Sequence, residues 1–316
     1  MIMSCVLFSH PDCHRHDAGA WHPESAARLQ AIEDQLIASG LTGLIARREA
    51  PLASIVELRR VHSEAMIDRL QTHLPALDES GYYALEADTL INAHSWQAAL
   101  RAAGAVVAAT DAVLAGEFST AFCAVRPPGH HATPDASMGF CLFNNIAIAI
   151  RHALEVHGLS RIAVVDFDAH HGNGTEAAFV DDARVLMVSF FQSPLYPYCG
   201  EYPPGERPAH LLNIPVPAYT RGDRVRELVE REWLPALHAH RPEMIFISAG
   251  FDAHREDELA SMELIEADYA WITRQLSAVA AQHAQGRIVS CLEGGYHLSA
   301  LGRSVVAHLE VLAGSA

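Results

Sequence analysis

Short apolar runs alternate with longer amphipathic stretches along the whole chain. Residues 162–165, 121–125, 185–188, 244–248 and Ile288–Leu292 are apolar or nearly apolar runs of four or five residues, with polar or glycine positions close at either end. Runs of this length read as strands covered on both faces, as in a parallel sheet. Residues 1–9 read as a first strand of the same kind. Leu211–Val216 reads as an edge strand, because Pro215 and Pro217 remove ladder donors. Between the runs the apolar period lengthens to that of helices. One helix starts at His22-Pro23-Glu24-Ser25, carries Leu29, Ile32, Leu36 and Ile37 on its apolar face, and stops at Gly40. Arg28 on its first turns is expected to make a surface salt bridge. Further helices are expected over residues 55–60, Glu64–His73, Ser95–Leu114 with Ser95 as cap, 144–157, 223–240, 264–283 and Leu298–Leu312. Residues 81–89 read as a loop, in which Asp88 is either a cap or a rim acid. Strands alternating with helices predict an α/β fold: three αβα layers around a mostly parallel sheet. No internal repeat, low-complexity tract or linker interrupts the pattern, so a single domain, 1–316, is expected.

Composition narrows the classes. The chain has 316 residues, 50% hydrophobic and 19% charged, which suits a sizeable core. A formal net charge of -16 disfavours direct nucleic-acid binding and would draw a cationic substrate. The six cysteines are scattered without C-x-x-C spacing and read as reduced thiols. Residues 1–9 lack the basic start and cleavage motif of a signal peptide, and no apolar run reaches membrane-spanning length. A cytoplasmic protein without a membrane partner is expected, and a homo-oligomer remains open. The 20 histidines are consistent with a metal site. Five metal-type side chains, His10, Cys13, His14, His16 and His22, crowd the loop after the first strand. Their spacing matches no structural zinc pattern, so they read as a polar rim.

The chemistry gathers where strands end. The run 162–165 gives way to Asp166-Phe-Asp-Ala-His-His-Gly-Asn-Gly174, and ligands of open α/β sheets bind at the carboxyl ends of strands. Asp168 and His170, two apart, would face one point, with Asp166 placed to orient a neighbour. The run 121–125 ends in Arg126-Pro-Pro-Gly-His-His131, a stiff turn presenting two histidines. Asp252 follows the run 244–248, and Tyr296 follows Ile288–Leu292. Asp168, His170 and Asp252 offer two oxygens and one nitrogen, leaving a fourth position open for water, as in catalytic zinc sites. Zinc is the first expectation, with iron(II) or cobalt(II) as possible substitutes. An imidazole acting as base and a phenol donating to an oxyanion complete the apparatus for hydrolysing an amide. The loop with Pro194, Tyr196, Pro197, Tyr198 and Tyr202 reads as a stiff aromatic wall.

These stretches resemble the histone deacetylase and acetylpolyamine amidohydrolase family, of the arginase/deacetylase fold. The resemblance rests on His22-Pro-Glu with Arg28, Arg126–His131, Gly139-Phe140, Asp166–Gly174, Gly250-Phe-Asp-Ala-His254 and Glu293-Gly-Gly-Tyr296, and covers nearly the whole chain. Asn173 makes it similar to class II and bacterial members. The resemblance implies a hydrolase of linear amide bonds with zinc on Asp168, His170 and Asp252. His131, oriented by Asn173, would be the general base and then the acid. His130, paired with Asp166, would give electrostatic support, and Tyr296 would hold the oxyanion. Phe140 and Tyr196 would sandwich the substrate's alkyl chain, Gly139 and Gly295 would flank it, and Asp88 would hold the substrate backbone at the rim. Arg28 would line an acetate exit channel. Potassium would bind Asp166, Ser189 and Phe190 with the backbone of Asp168 and His170. Leu259 falls where a polyamine-specific relative carries a gatekeeping Glu.

The expected substrate is therefore an acetyl-lysine peptide or protein, or a small acylated amine. An acetylpolyamine amidohydrolase is the alternative, favoured by the acidic charge and opposed by Leu259. An arginase-like binuclear hydrolase would need further acids where Gly172 and His254 stand. A non-catalytic acyl-lysine binding module would not need the phenol and the histidine pair.

Overall fold

A computed structural model describes residues 4–73, 81–203 and 205–315. Its strands are β1 (Cys5–Ser9), β2 (Ala46–Glu49), β3 (Tyr83–Glu86), β4 (Thr89–Ile91), β5 (Thr120–Cys123), β6 (Ile162–Asp166), β7 (Val185–Gln192), β8 (Leu211–Val216), β9 (Met244–Ala249) and β10 (Ile288–Leu292). Residues 1–3 of the expected first strand lie outside the described residues. Eight of these strands form one sheet in the order β2-β1-β5-β10-β9-β6-β7-β8. Every pairing in it is parallel, so the carboxyl ends share one edge. The strands β6, β7, β9 and β10 are buried at every position, which explains their unbroken apolar runs. β8 closes one edge, with Pro215 on its exposed side, as expected.

The helices are α1 (Asp12–Arg15), α2 (Ala27–Ser39), α3 (Ile55–Leu58), α4 (Glu64–His73), α5 (Ser95–Leu114), α6 (Asn145–Glu155), α7 (Asn173–Phe179), α8 (Gly222–Leu228), α9 (Leu234–His240), α10 (Glu266–His283) and α11 (Leu298–Leu312). α5 packs against α6 and onto β1, β5 and β10. α11 packs against both α2 and α10, with α10 on β9 and α11 on β5. These groups are the two helical layers of the αβα arrangement.

Several expectations need correction. Residues 81–89 are not a loop throughout: β3 and β4 pair antiparallel around a bulge. Leu85 and Ile91 from this hairpin enter a second apolar cluster with Leu58, Met66 and Leu100. The hairpin is too short and too polar for its alternation to stand out. Ile37 is 60% exposed, so the apolar face of α2 is Leu29, Ile32 and Leu36. Ser95 does not cap α5: His94 holds that position, and the Ser95 hydroxyl meets Nδ1 of His16 at 2.7 Å instead. The segment from Gly222 to His240 is interrupted by a π turn, Val229–Trp233. Pro235 enters the next helical turn without an amide to donate, and the regular pattern breaks just before it.

Candidate active site

The parallel register brings the strand ends together. Asp166 is the last residue of β6 and lies beside Ser189 of β7 and Ser248 of β9. The chain then leaves the sheet, and Asp168 and His170 turn toward Asp252, which follows β9. Nδ1 of His170 lies 3.0 Å from Oδ1 of Asp168 and 3.0 Å from Oδ2 of Asp252. All three donor atoms fall within 4.8 Å of one another. Both aspartates are completely buried. Their outer oxygens are fixed by backbone amides: Gly294 donates to Oδ2 of Asp168 at 2.9 Å, and Ala169 to Oδ1 of Asp252 at 2.8 Å. Glycine at 250 and 294 permits this close approach, since a Cβ would collide with Asp168 at the first and with Asp252 at the second.

Two buried carboxylates aimed at one point repel each other unless a cation joins them. Burial and the neighbouring Asp168 push Asp252 up to about 6. Burial alone would lower His170, yet Asp252 and Asp168 hold it well above the ordinary imidazole range. The field at this point therefore selects positive charge, and the donor set of two oxygens and one nitrogen fits a dication.

The two tandem histidines stand beside these donors. Nδ1 of His130 lies 2.9 Å from Oδ2 of Asp166. Burial opposes its charge, but Asp168 and Asp166 raise it to about 10, which favours the charged ring. Nδ1 of His131 donates to Oδ1 of Asn173 at 2.8 Å, which leaves Nε2 with a free lone pair. Burial, His130 and His170 together hold His131 well below its ordinary range. Environment thus pushes two adjacent imidazoles in opposite directions, His130 toward the charged form and His131 toward the neutral one. Glu293, buried just past β10, accepts the amides of Gly129 at 2.7 Å and His130 at 3.0 Å and so sets the turn that presents both rings.

A cavity of about 270 Å³ opens onto this centre. Its wall includes Phe140, Leu195, Tyr196, Tyr198 and Leu259, with His131, His170 and Tyr296 in its lining. The Tyr296 ring meets Phe140 edge-on at 5.8 Å, and Tyr196 meets His131 edge-on at 5.2 Å. Burial raises the Tyr296 phenol well above its ordinary range, so it remains a donor. Asp88 sits in the β3–β4 turn and lines the cavity, which resolves cap against rim in favour of the rim. Gly139 is also part of the lining. Gly295 stands apart from it: a Cβ there would meet Leu301 and Phe251, and its carbonyl accepts from Arg28. Ser189 and Phe190 lie on β7 behind the centre; the Ser189 hydroxyl donates to Asn213, and Phe190 stacks on Trp233.

The expectation of a surface salt bridge for Arg28 is wrong. Arg28 is completely buried, donating to Glu24 at 3.0 Å, to the Gly295 carbonyl at 2.6 Å and to the Glu293 carbonyl. Glu24 is itself buried and also binds the buried Arg126. His16 and Cys13 are buried beside this network rather than forming a polar rim. Leu195 as a wall residue, and the joining roles of Glu24 and Glu293, were not legible in the sequence. The aromatic loop is the signal nearest Leu195, and the motifs His22-Pro-Glu24 and Glu293-Gly-Gly-Tyr296 are those that contain the two acids.

Among the described residues, Asp111, His152 and His157 form another group of metal-binding type. Arg60 lies 3.3 Å from Nδ1 of His152, and arginine can only donate. Nε2 of His152 therefore carries the proton that meets Asp111 at 2.7 Å. This group is a set of hydrogen bonds to one exposed carboxylate.

Comparison with known proteins agrees with this geometry. The histone deacetylase domain family matches residues 22–312. A histone deacetylase-like amidohydrolase of Pseudomonas aeruginosa is 40% identical over 94% of this chain and 78% of its own. A probable deacetylase of Archaeoglobus fulgidus is 36% identical over 93% of this chain and 82% of its own. The crystal structure of the HDA15 HD domain superposes with a TM-score of 0.91 at 30% identity, covering 99% of this chain and 90% of that one.

Proposed function

The chain belongs to the histone deacetylase family, and from that footing we propose that it is a zinc-dependent amidohydrolase removing acetyl groups from acetyl-lysine-like amines. The observation that carries this is His170 meeting two buried carboxylates at 3.0 Å each, in the lining of an aromatic-walled cavity. Asp168, His170 and Asp252 would hold the metal. Zinc suits a set of two oxygens and one nitrogen; iron(II) and cobalt(II) suit it next. When bound, such a dication polarises a carbonyl and brings the pKa of a water to about 7.

The chain's own groups would do the rest. Phe140 and Tyr196 hold the substrate's alkyl chain, and Asp88 holds its backbone at the rim. His131, neutral and lone-paired at Nε2, takes the proton of the attacking water and returns it to the leaving amine. The His130 imidazolium, anchored by Asp166, offsets negative charge as it develops. Tyr296 donates to the carbonyl oxygen as that oxygen becomes negative. A potassium ion on Asp166, Ser189 and Phe190, with backbone from Asp168 and His170, belongs to the same proposal, as do a single catalytic domain and a cytoplasmic location.

The test is steady-state kinetics of the zinc-loaded protein on an acetyl-lysine peptide and on N-acetylputrescine. Turnover of the peptide is expected. Turnover of the polyamine alone would transfer the assignment to a polyamine amidohydrolase, and turnover of neither would end the proposal.

A further inference from the structure

The segment carrying the phenol leaves the sheet at Glu293 and reaches helix α11 only at Leu298. Two glycines lie within it, and Gly295 has φ of +115°. Nothing in its own covalent structure fixes where Tyr296 stands. The segment is instead gripped from two sides. Arg28 binds its carbonyls, those of Glu293 and Gly295. Asp257 binds the amides of its last two residues, Tyr296 and His297, while Asp168 takes that of Gly294.

Asp257 lies in the loop after Asp252 and is 7% exposed. Its Oδ2 accepts the amide of Tyr296 at 2.6 Å and that of His297 at 3.0 Å. Its Oδ1 accepts the amide of Leu259 at 3.1 Å. The Asp257 amide in turn donates to the carbonyl of His254 at 2.9 Å, which ties it to the loop of Asp252. One carboxylate thus joins the phenol-bearing residue, the residue capping α11, and a residue of the cavity wall. Hydrogen bonds to an ionised acceptor are the stronger kind. Asp257 lines no part of the cavity and supplies none of the metal donors.

We propose that Asp257 is a positioning residue for Tyr296. Its carboxylate holds the Tyr296 backbone where the phenol reaches the carbonyl oxygen of a bound amide, and ties that placement to Leu259. This rests on the role given above to Tyr296. A misplacement of about 1 Å in such a group can cost about a hundredfold in rate.

The experiment is a double-mutant cycle on acetyl-lysine peptide, using Asp257→Ala and Asp257→Asn in the wild-type and Tyr296→Phe backgrounds, with zinc content and thermal melting recorded for each. In the wild-type background Asp257→Ala should lower kcat about tenfold or more with KM little changed, and Asp257→Asn, which keeps one acceptor oxygen, should restore part of the loss. In the Tyr296→Phe background the same substitutions should change kcat less than about twofold, because the hydroxyl they position is gone. If the alanine variant fails to fold, the asparagine variant makes the same comparison. Equal fold-losses in both backgrounds would overturn the proposal while leaving the function assigned to the site intact. A Tyr296→Phe protein as active as wild type would remove the phenol's role and this proposal with it.

Discussion

Asn173 accepts a hydrogen bond from Nδ1 of His131 over 2.8 Å. An amide can orient the ring and fix its tautomer, but it adds no negative charge. Burial, His130 and His170 therefore hold His131 well below the ordinary imidazole range, and the base is free at neutral pH.

A pH prediction follows from that sign. A base must be unprotonated to act, and a base with a depressed pKa loses its proton early as pH rises. The acid limb of kcat/KM assigned to His131 should lie below pH 6.5, the ordinary imidazole value. Asn173→Asp places a carboxylate against Nδ1 and should move that limb upward by about one unit or more. A pH-rate profile of both proteins checks this; coincident acid limbs would refute it.

Tyr296→Phe deletes the donor while keeping the ring against Phe140. The loss should appear in kcat, by about 10²–10³, with KM little changed. A loss confined to KM would make Tyr296 a binding group instead.

Glu24 lies buried between Arg126 and Arg28. Burial would raise its pKa, but Arg126 and the hydrogen bonds around it hold it well below 4.5. A group depressed in this way contributes stability in full above its unfolded value and loses it as pH falls through the folded value. Glu24→Ala leaves two arginines without their carboxylate and should cost about 3–5 kcal/mol at neutral pH. The deficit should shrink on acidification below about pH 4.5. Urea unfolding across pH measures both; a deficit that does not change with pH would contradict the assignment.

The chemistry of the site was more legible than its supports. Asp168, His170 and Asp252 follow buried runs directly, and a parallel sheet places such ends at one edge, so their meeting could be foreseen. The local pattern does not show Arg28, Glu24 and Arg126 as buried, although the resemblance places Arg28 along an internal channel. A charged residue on an amphipathic helix faces water unless a partner distant in sequence supplies the opposite charge, and Glu24 bonds Arg126 across 102 positions. The β3–β4 hairpin is not legible in the sequence because its packing partners are Leu58, Met66 and Leu100, which no local pattern reveals. Asp257 carried no signal either, since its partners are backbone amides.

Leu259 and Asp88 both line the cavity. Leu259→Glu adds a second carboxylate there and should raise kcat/KM for N-acetylputrescine relative to a neutral acetylated amine, by about fivefold to tenfold at low salt. An unchanged ratio would show that this wall position does not select charge.

The most direct measurement is acetate release from an acetyl-lysine peptide while the metal-stripped protein is titrated with zinc. Activity should be absent at the start, rise in proportion to added zinc, and level off at one equivalent per chain. Full activity before any zinc is added, or a rise that continues to two equivalents, would contradict a single dication held by Asp168, His170 and Asp252.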